Sequence, residues 1–367
     1  MNRICLIAGS APLYRKATFK MLESVFNCDF ILGEGPTKQM DISMLENVEK
    51  VQESKFLING LYTYKNLIKL SKEHDIIILN IASNNILYYL FPLIARFRGQ
   101  KIVSWTHGWY GKEGFVRRLI KRIYFNSFDK VLVYGNYAKN LMIKNGIEEA
   151  KIHVIHNSLD YYTQLELRKQ MTETSVYKDH FGNNYPVLLF IGRLRKVKKL
   201  DQIIEAMAIL KERGEYYNLM LIGGGEDEML LKEITSKYQM ESNVWFYGPC
   251  FDETTNAELV YNADLCVAPG NVGLTAMHTL MFGCPVLTHN NFPWQMPEFE
   301  SIKEYKTGLF FDYDNIDSLA DKISEWFKVN GTLRNHVRNK CYKEIDEQWN
   351  PEYQTKILEQ ALNFQRR

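Results

Sequence analysis

The sequence predicts an α/β protein built from two doubly wound domains that face each other across a cleft. Short, continuous apolar runs alternate with stretches of helical period from end to end, which is the pattern of parallel strands covered by helices on both faces. The alternation breaks once, at residues 157–185, which are polar and lack a strand-like run. The third observation is length, because 367 residues exceed one ordinary core and fit two domains.

The first-domain strands are read at RICLIA (3–8), DIIILN (75–80), KIVSW (101–105), KVLVYG (130–135) and KIHVIH (151–156). Those of the second domain are PVLLFIG (186–192), LMLIGG (219–224), NVWFYG (243–248), DLCVAP (264–269) and CPVLTH (284–289). Between them lie amphipathic stretches such as 200–213, with apolar residues at 200, 203, 204, 207 and 210. The expected domains are 1–165 and 166–348, followed by a helix in 349–367 that starts at Pro351. In such sheets ligands bind beyond the carboxyl ends of the strands, so the strand-to-helix loops are where chemistry is expected.

Hydrophobic residues make up 46% and charged residues 24%, the balance of a soluble globular chain. The opening MNRICLIAGSAP is too short in its apolar part for a signal peptide and reads as a strand. The apolar stretch Ile86–Ala95 contains Pro92 and stops well short of the ~20 residues a membrane span needs. A cytoplasmic protein is therefore expected. Cys5, Cys28, Cys250, Cys266, Cys284 and Cys341 form no CxxC pair, and no His stands at zinc-ligand spacing, so reduced, mostly buried thiols and no metal are expected. Net charge is +2, yet residues 1–160 carry 22 Lys and Arg against 14 Asp and Glu, and the remainder 23 against 29. The basic half is expected to face something anionic.

In the second half, PVLLFIG runs into GRLRKVKKLD, where Gly192 and Arg193 end the strand and Lys198 precedes the next helix. Two cations at a strand's carboxyl end suit a diphosphate; a solvated basic loop is the other reading. LIGGGEDE places three glycines, with Gly224 in the middle, after a strand. It does not match GxGxxG, which argues against hydride chemistry. In VAPGNVGLTAMHTLMFGCPVLTHNNF (267–292), Gly270, Asn271 and Gly273 form a loop that opens a helix with Leu274 and Thr275. Free N–H groups at such a start make an anion site. His278 lies seven residues after Asn271, and the spacing predicts both on one helix face. It either hydrogen-bonds a ligand or packs on a half-buried face.

The order GRL-xxx-K, GGG after a strand, a Gly-Leu helix start and then GxPV resembles the family 4 retaining glycosyltransferases of GT-B fold. The resemblance covers the second half well and the first half loosely. It implies two Rossmann-like domains and a C-terminal helix crossing back to the first. It also implies Arg193 and Lys198 on the donor diphosphate, with backbone at Gly273, Leu274 and Thr275 meeting the phosphates. There is one departure. The family carries two glutamates eight positions apart here, on the donor sugar and on the ribose; this chain has Gly270 and His278 instead. The PGNVGLTxMH pattern resembles capsule and O-antigen transferases, so a subfamily variant is expected. Glu298 in MPEFE resembles a family glutamate, with a surface acid as the other reading. Asp312-Tyr313-Asp314 spells a DxD metal motif, but Asp314 is read as helix N-cap chemistry.

In the first half, WTHGWYGKEG follows a strand and sets His107 at its carboxyl end. The resemblance points it at the donor sugar, a role that imidazole suits; a packed loop histidine is the alternative. Gly9 and Ser10 end the first strand and are expected to line the site. In 115–125, Val116, Leu119, Ile120 and Ile123 fall on one side and Arg117, Arg118, Lys121 and Arg122 on the other. This predicts an apolar face on the sheet and a basic face either in water or on anionic lipid. No nucleic-acid motif accompanies the basic charge.

The sequence reading is thus a metal-independent glycosyltransferase that uses no cofactor beyond its UDP- or GDP-sugar substrate. It acts on a glycan or polyprenyl-linked glycan, peripheral on the inner face of a membrane, in surface polysaccharide synthesis. The alternatives are a non-catalytic GT-B partner subunit, which the missing glutamates permit, and a GT-B nucleotide-sugar epimerase.

Overall fold

Every predicted apolar run is a strand. A computed structural model describes residues 2–33, 40–50, 52–55, 62–80 and 86–363. The strands are β1 Ile4–Ala8, β2 Cys28–Leu32, β3 Val48–Lys50, β4 Gln52–Lys55, β5 Tyr62–Lys65, β6 Ile76–Asn80, β7 Lys101–Thr106, β8 Lys130–Val133, β9 Ile152–Val154, β10 Val187–Ile191, β11 Asn218–Ile222, β12 Val244–Gly248, β13 Leu265–Ala268, β14 Val286–His289 and β15 Gly308–Phe311. The helices are α1 Lys16–Phe26, α2 Leu67–Leu70, α3 Ile86–Phe97, α4 Phe115–Asn126, α5 Asn136–Lys144, α6 Tyr161–Gln170, α7 Val176–Phe181, α8 Asp201–Glu212, α9 Glu228–Lys237, α10 Glu253–Asn262, α11 Leu274–Met281, α12 Ile316–Asn330, α13 Arg334–Gln348 and α14 Pro351–Leu362. The chain divides into one unit of residues 1–161 with 350–367 and a second of residues 162–349.

The first unit holds a parallel sheet in the order β3-β2-β1-β6-β7-β8-β9, with β4 and β5 as a separate antiparallel pair. Its strands bury both faces, and the side-chain period of two sorts them. Ile4, Leu6 and Ala8 join one core layer, Cys5 and Ile7 the other. The first layer is closed by α14, through Leu358, Ala361 and Leu362, and by a 2.9 Å hydrogen bond from Thr18 Oγ1 to Gln354 Oε1. Asn350 caps α14 by accepting from the Tyr353 N–H at 2.8 Å, and Pro351 sits where a missing N–H costs nothing. The final helix thus returns to the first unit.

The second unit holds a parallel sheet in the order β12-β11-β10-β13-β14-β15. Both large sheets are doubly wound. The order reverses between β1 and β6 in one, and between β10 and β13 in the other. At those two switch points the loops diverge and leave room for a ligand.

The polar segment 157–185 holds no strand, as read from the sequence, and carries α6 and α7. The structure changes two expectations. In α4 the apolar residues do not lie on the sheet. Phe115, Val116, Leu119, Ile120 and Ile123 are exposed, while Tyr124 and Phe125 are buried. The aromatic pair won the inward sector, and Lys121 leans in beside it on Glu113 at 2.7 Å and on the Gly108 carbonyl at 2.8 Å. Second, α11 starts at Leu274, so Asn271 stands in the preceding loop and shares no helix face with His278. All six cysteines are free, and five are buried. Among the described residues no helix is long and apolar enough to cross a membrane.

Candidate functional site

The second unit's switch point is built by two loops that touch. The loop after β10 carries Arg193 and Lys198; the loop after β13 carries Gly270, Asn271 and Gly273. Lys198 Nζ donates to the Asn271 carbonyl at 2.6 Å and to its side-chain oxygen at 2.8 Å. The Gly270 N–H donates to the Lys198 carbonyl at 2.9 Å. A Cβ on Gly270 would stand 2.0 Å from the Val197 oxygen and 2.7 Å from Lys198 Cα. Only glycine lets these backbones meet, so a glutamate has no room here in this loop arrangement. Gly270 therefore serves contact between loops, with its N–H already engaged.

The neighbouring glycines act alike. The Gly192 N–H extends the ladder to the Ile222 carbonyl, and the Gly224 carbonyl accepts from the Leu194 N–H. A Cβ on Gly223 would lie 1.8 Å from the Gly192 oxygen. The three-glycine run after β11 thus seats the loop that carries Arg193. That guanidinium is exposed and makes no hydrogen bond or ion pair among the described residues.

Gly273 caps α11 with φ 54° and, being glycine, brings no side-chain acceptor to the helix start. The first-turn N–H groups of Leu274 and Thr275 have no acceptor within the helix. Thr275 Oγ1 donates to the Ile191 carbonyl at 2.9 Å and pins the helix start to the end of β10. The buried Gln295 holds the loop from the other side. Its Oε1 accepts from the Val272 N–H at 2.9 Å, and its Nε2 donates to Thr288 Oγ1 at 2.8 Å. No spacing in the sequence marks Gln295, because its partners lie on two other segments, the loop after β13 and β14.

Glu298 is 2% exposed, so the surface reading of this acid is overturned. It lies close enough to act on Lys198, whose pKa burial lowers to about 8 while the Glu298 charge opposes the drop. His278 pairs with Glu253, Nε2 to Oε1 at 2.9 Å, and the same oxygen accepts from Gln164 Nε2 at 2.7 Å. Burial raises the Glu253 pKa, but the bonds from His278 and Gln164 outweigh it and hold the carboxyl below its usual range. A carboxylate thus stands beside the position where the sequence lacks one, supplied by the first residue of α10. The DxD residues do not act together. Asp312 accepts from Asn290 Nδ2 at 2.8 Å. Asp314 precedes the true N-cap, Asn315, and binds Lys199 at 2.7 Å and Gln202 at 2.6 Å. Among the described residues no three His, Cys, Asp or Glu side chains gather as a metal would require.

At the first unit's switch point, His107 follows β7 and Gly9 and Ser10 follow β1. The His107 ring packs tilted against Tyr134 with centroids 4.8 Å apart, and its Nδ1 is buried without a partner among the described residues. Burial, then the charge of Arg15, lower its pKa to about 4. The ring is therefore neutral at physiological pH.

Two family models match the chain: the "Glycosyltransferase Family 4" model over residues 47–161 and the "Glycosyl transferases group 1" model over residues 172–344. A Bacillus subtilis protein named "Putative glycosyltransferase EpsD" is 24% identical over 294 residues, covering 76% of this chain and 74% of its own. Mannosylfructose-phosphate synthase of Agrobacterium fabrum is 27% identical over 223 residues, 56% of this chain and 46% of its own. Among solved structures, Anabaena HepE in complex with UDP superposes with a TM-score of 0.72 at 15% identity, covering 98% of this chain and 99% of its own. The lipopolysaccharide outer core galactosyltransferase WaaB superposes at 0.73 and 15%, over 98% and 99% of the two chains. The chain is an α/β protein of GT-B fold and belongs to the family 4 glycosyltransferases.

Proposed function

We propose that this glycosyltransferase moves a sugar from a UDP- or GDP-sugar to a glycan or polyprenyl-linked glycan in cell-surface polysaccharide synthesis. Anomeric configuration is retained and no metal is needed. The observation that carries the reading is the second unit's switch point. An exposed guanidinium that bonds none of the described residues, a half-buried ammonium and an open helix start all adjoin one strand end. That set suits a diphosphate. The UDP and UDP-glucose complexes of HepE support it by analogy of fold.

In this reading the bond from the anomeric carbon to the diphosphate oxygen breaks, the oxygen of an acceptor hydroxyl bonds that carbon, and the hydroxyl proton passes to the departing diphosphate. Charge accumulates on the departing nucleotide, where Arg193, Lys198 and the amides of Gly273, Leu274 and Thr275 receive it. Fixed positive groups give most at the point where charge develops. His278 and Glu253 hold the ribose hydroxyls. His107, neutral, hydrogen-bonds a sugar hydroxyl, with Gly9 and Ser10 leaving it room.

The membrane part of the proposal rests on α3 and α4, which touch through the rings of Tyr89 and Tyr124 at 5.2 Å. Their outward faces expose Tyr89, Leu90, Leu93, Phe97, Leu119 and Ile123. At 100° per residue, Arg118 and Arg122 flank one side of the α4 face and Arg117 the other. From residue 76 to 128 the sole acid is Glu113, which pairs with Lys121. An apolar strip bordered by arginines fits the interface of an anionic bilayer, with rings among the acyl chains and guanidinium groups at the phosphates.

The test is transfer by purified protein across UDP- and GDP-sugars with lipid-linked acceptors, beside Arg193→Ala and Lys198→Ala. Turnover of one donor that collapses in both variants supports the proposal. Nucleotide binding without turnover of any donor favours the partner-subunit alternative.

A further inference from the structure

The first unit contains a cation that the donor chemistry does not use. Arg15 closes the short turn that follows β1, and its half-buried guanidinium sits in an aromatic pocket. It hydrogen-bonds the Tyr134 hydroxyl and lies 5.4, 5.6 and 5.7 Å from the ring centroids of Tyr134, Trp105 and Tyr14. No carboxylate pairs with it among the described residues. A guanidinium drawn out of water usually sits against an acid, because desolvating a charge without a counterion is costly. Phenols and ring faces compensate only in part.

Its place in the fold adds to this. β1, β6, β7 and β8 contribute Arg15, Asn80, Trp105 with His107, and Tyr134 from their carboxyl ends. β1 and β6 flank the point where the strand order reverses, where doubly wound sheets bind ligands. Asn80 Nδ2 donates to the Trp105 carbonyl at 3.5 Å, and the His107 ring borders Tyr134. A charged fork, two tyrosines, an indole and an imidazole thus converge on one end of the sheet. The fork suits two oxygens of one anionic group, with Trp105 and Tyr134 buried behind it as its packing support.

We infer that Arg15, held by Tyr134 and bordered by His107, forms an oxyanion site at the β1/β6 switch point that recognises an anionic group on the acceptor. The inference deepens the proposed function by giving the acceptor a charge. That charge has two sources of one chemistry, a phosphate linking glycan to lipid or a carboxylate on a sugar of the glycan.

The test is direct binding to the full chain, read on the ring resonances of ¹³C-labelled histidine. The probes are decyl phosphate, methyl glucuronide and methyl glucoside. At least one anionic probe is expected to shift the His107 signals saturably, with the glucoside silent at the same concentration. The probe that binds names the source. Arg15→Gln is expected to weaken that probe at least tenfold, and Arg15→Lys less, since it keeps the charge. Circular dichroism confirms that both variants fold, and a Gln variant that fails to fold leaves the Lys variant and the glucoside comparison to decide. Silence of both anions overturns the inference, as does equal binding by Arg15→Gln or equal binding of the glucoside. Because no donor enters the experiment, failure here is distinguishable from failure of the diphosphate site.

Discussion

Lys198 Nζ stands 2.6 Å from the carbonyl oxygen of Asn271 and 2.8 Å from its side-chain oxygen, joining the two loops that diverge at the β10/β13 switch point. The ammonium holds the loops together while keeping its charge where a diphosphate would sit. Lys198→Ala removes both effects, and Lys198→Arg keeps charge without the compact geometry. Loss of a charge-assisted contact of about 2–3 kcal/mol corresponds to roughly 30- to 150-fold weaker nucleotide binding. Calorimetry on UDP and GDP checks this, with the arginine variant falling between wild type and alanine.

The same residue sets a pH dependence. Burial lowers its pKa to about 8, and a bound diphosphate favours the charged form. Binding is therefore strongest below pH 8, and weakens as pH rises through 8 and the free protein loses that proton. A titration from pH 6.5 to 9.5 is expected to show this weakening in wild type and a flat response in Lys198→Ala.

Gly270 occupies the position where the resemblance places a glutamate. Its Cβ would meet the Val197 oxygen at 2.0 Å, so Gly270→Glu forces the loops apart. Overpacking of this kind costs about 1–3 kcal/mol. The expected result is a lower melting temperature and weaker nucleotide binding, with no gain in turnover. A variant with raised activity at unchanged stability would show that the loop accommodates the carboxylate.

His278 and Glu253 act as a pair at 2.9 Å. If they hold the ribose, His278→Ala and Glu253→Ala each weaken UDP about tenfold, and the double variant is little worse than either single one. Coupling of this kind is about 0.5–3 kcal/mol for residues in contact. Both variants also lose the preference for UDP over 2′-deoxy-UDP. A purely structural pair would lower stability and leave that preference intact.

The outward face of α4 predicts vesicle binding. Leu119→Glu with Ile123→Glu is expected to abolish sedimentation with vesicles rich in phosphatidylglycerol. Arg118→Ala with Arg122→Ala is expected to weaken it by about 2 kcal/mol, since each basic residue near the surface contributes about 1 kcal/mol. Neutral phosphatidylcholine vesicles and high salt should reproduce the arginine result.

The strands and the second unit's loops were legible because their signals are local. Apolar runs such as 187–191 are buried on both faces whatever surrounds them, and Gly270, Gly273 and Gly283 punctuate one helix and two loops. Five strands, β2 to β5 and β15, stand outside the runs read from the sequence: β3 (Val48–Lys50) carries one apolar residue, β4 and β5 form a separate short pair, and β2 and β15 are apolar runs of the same kind as those that were read. The α4 face was misread because periodicity tells which residues share a side and not which side meets the sheet; Tyr124 and Phe125 decided that. Glu253, Gln295 and Arg15 were invisible for another reason. Each takes its meaning from partners 25, 23 and 119 positions away, and no spacing encodes such a meeting.

The measurement that bears most directly on the central claim is donor affinity and turnover in Arg193→Ala, side by side with wild type. Arg193 has no bond within the protein among the described residues, so its loss leaves the fold intact and removes only what it offers a ligand. The account predicts unchanged melting temperature, nucleotide affinity reduced at least tenfold and turnover reduced further. Wild-type affinity and turnover in this variant would contradict the diphosphate site and the mechanism built on it.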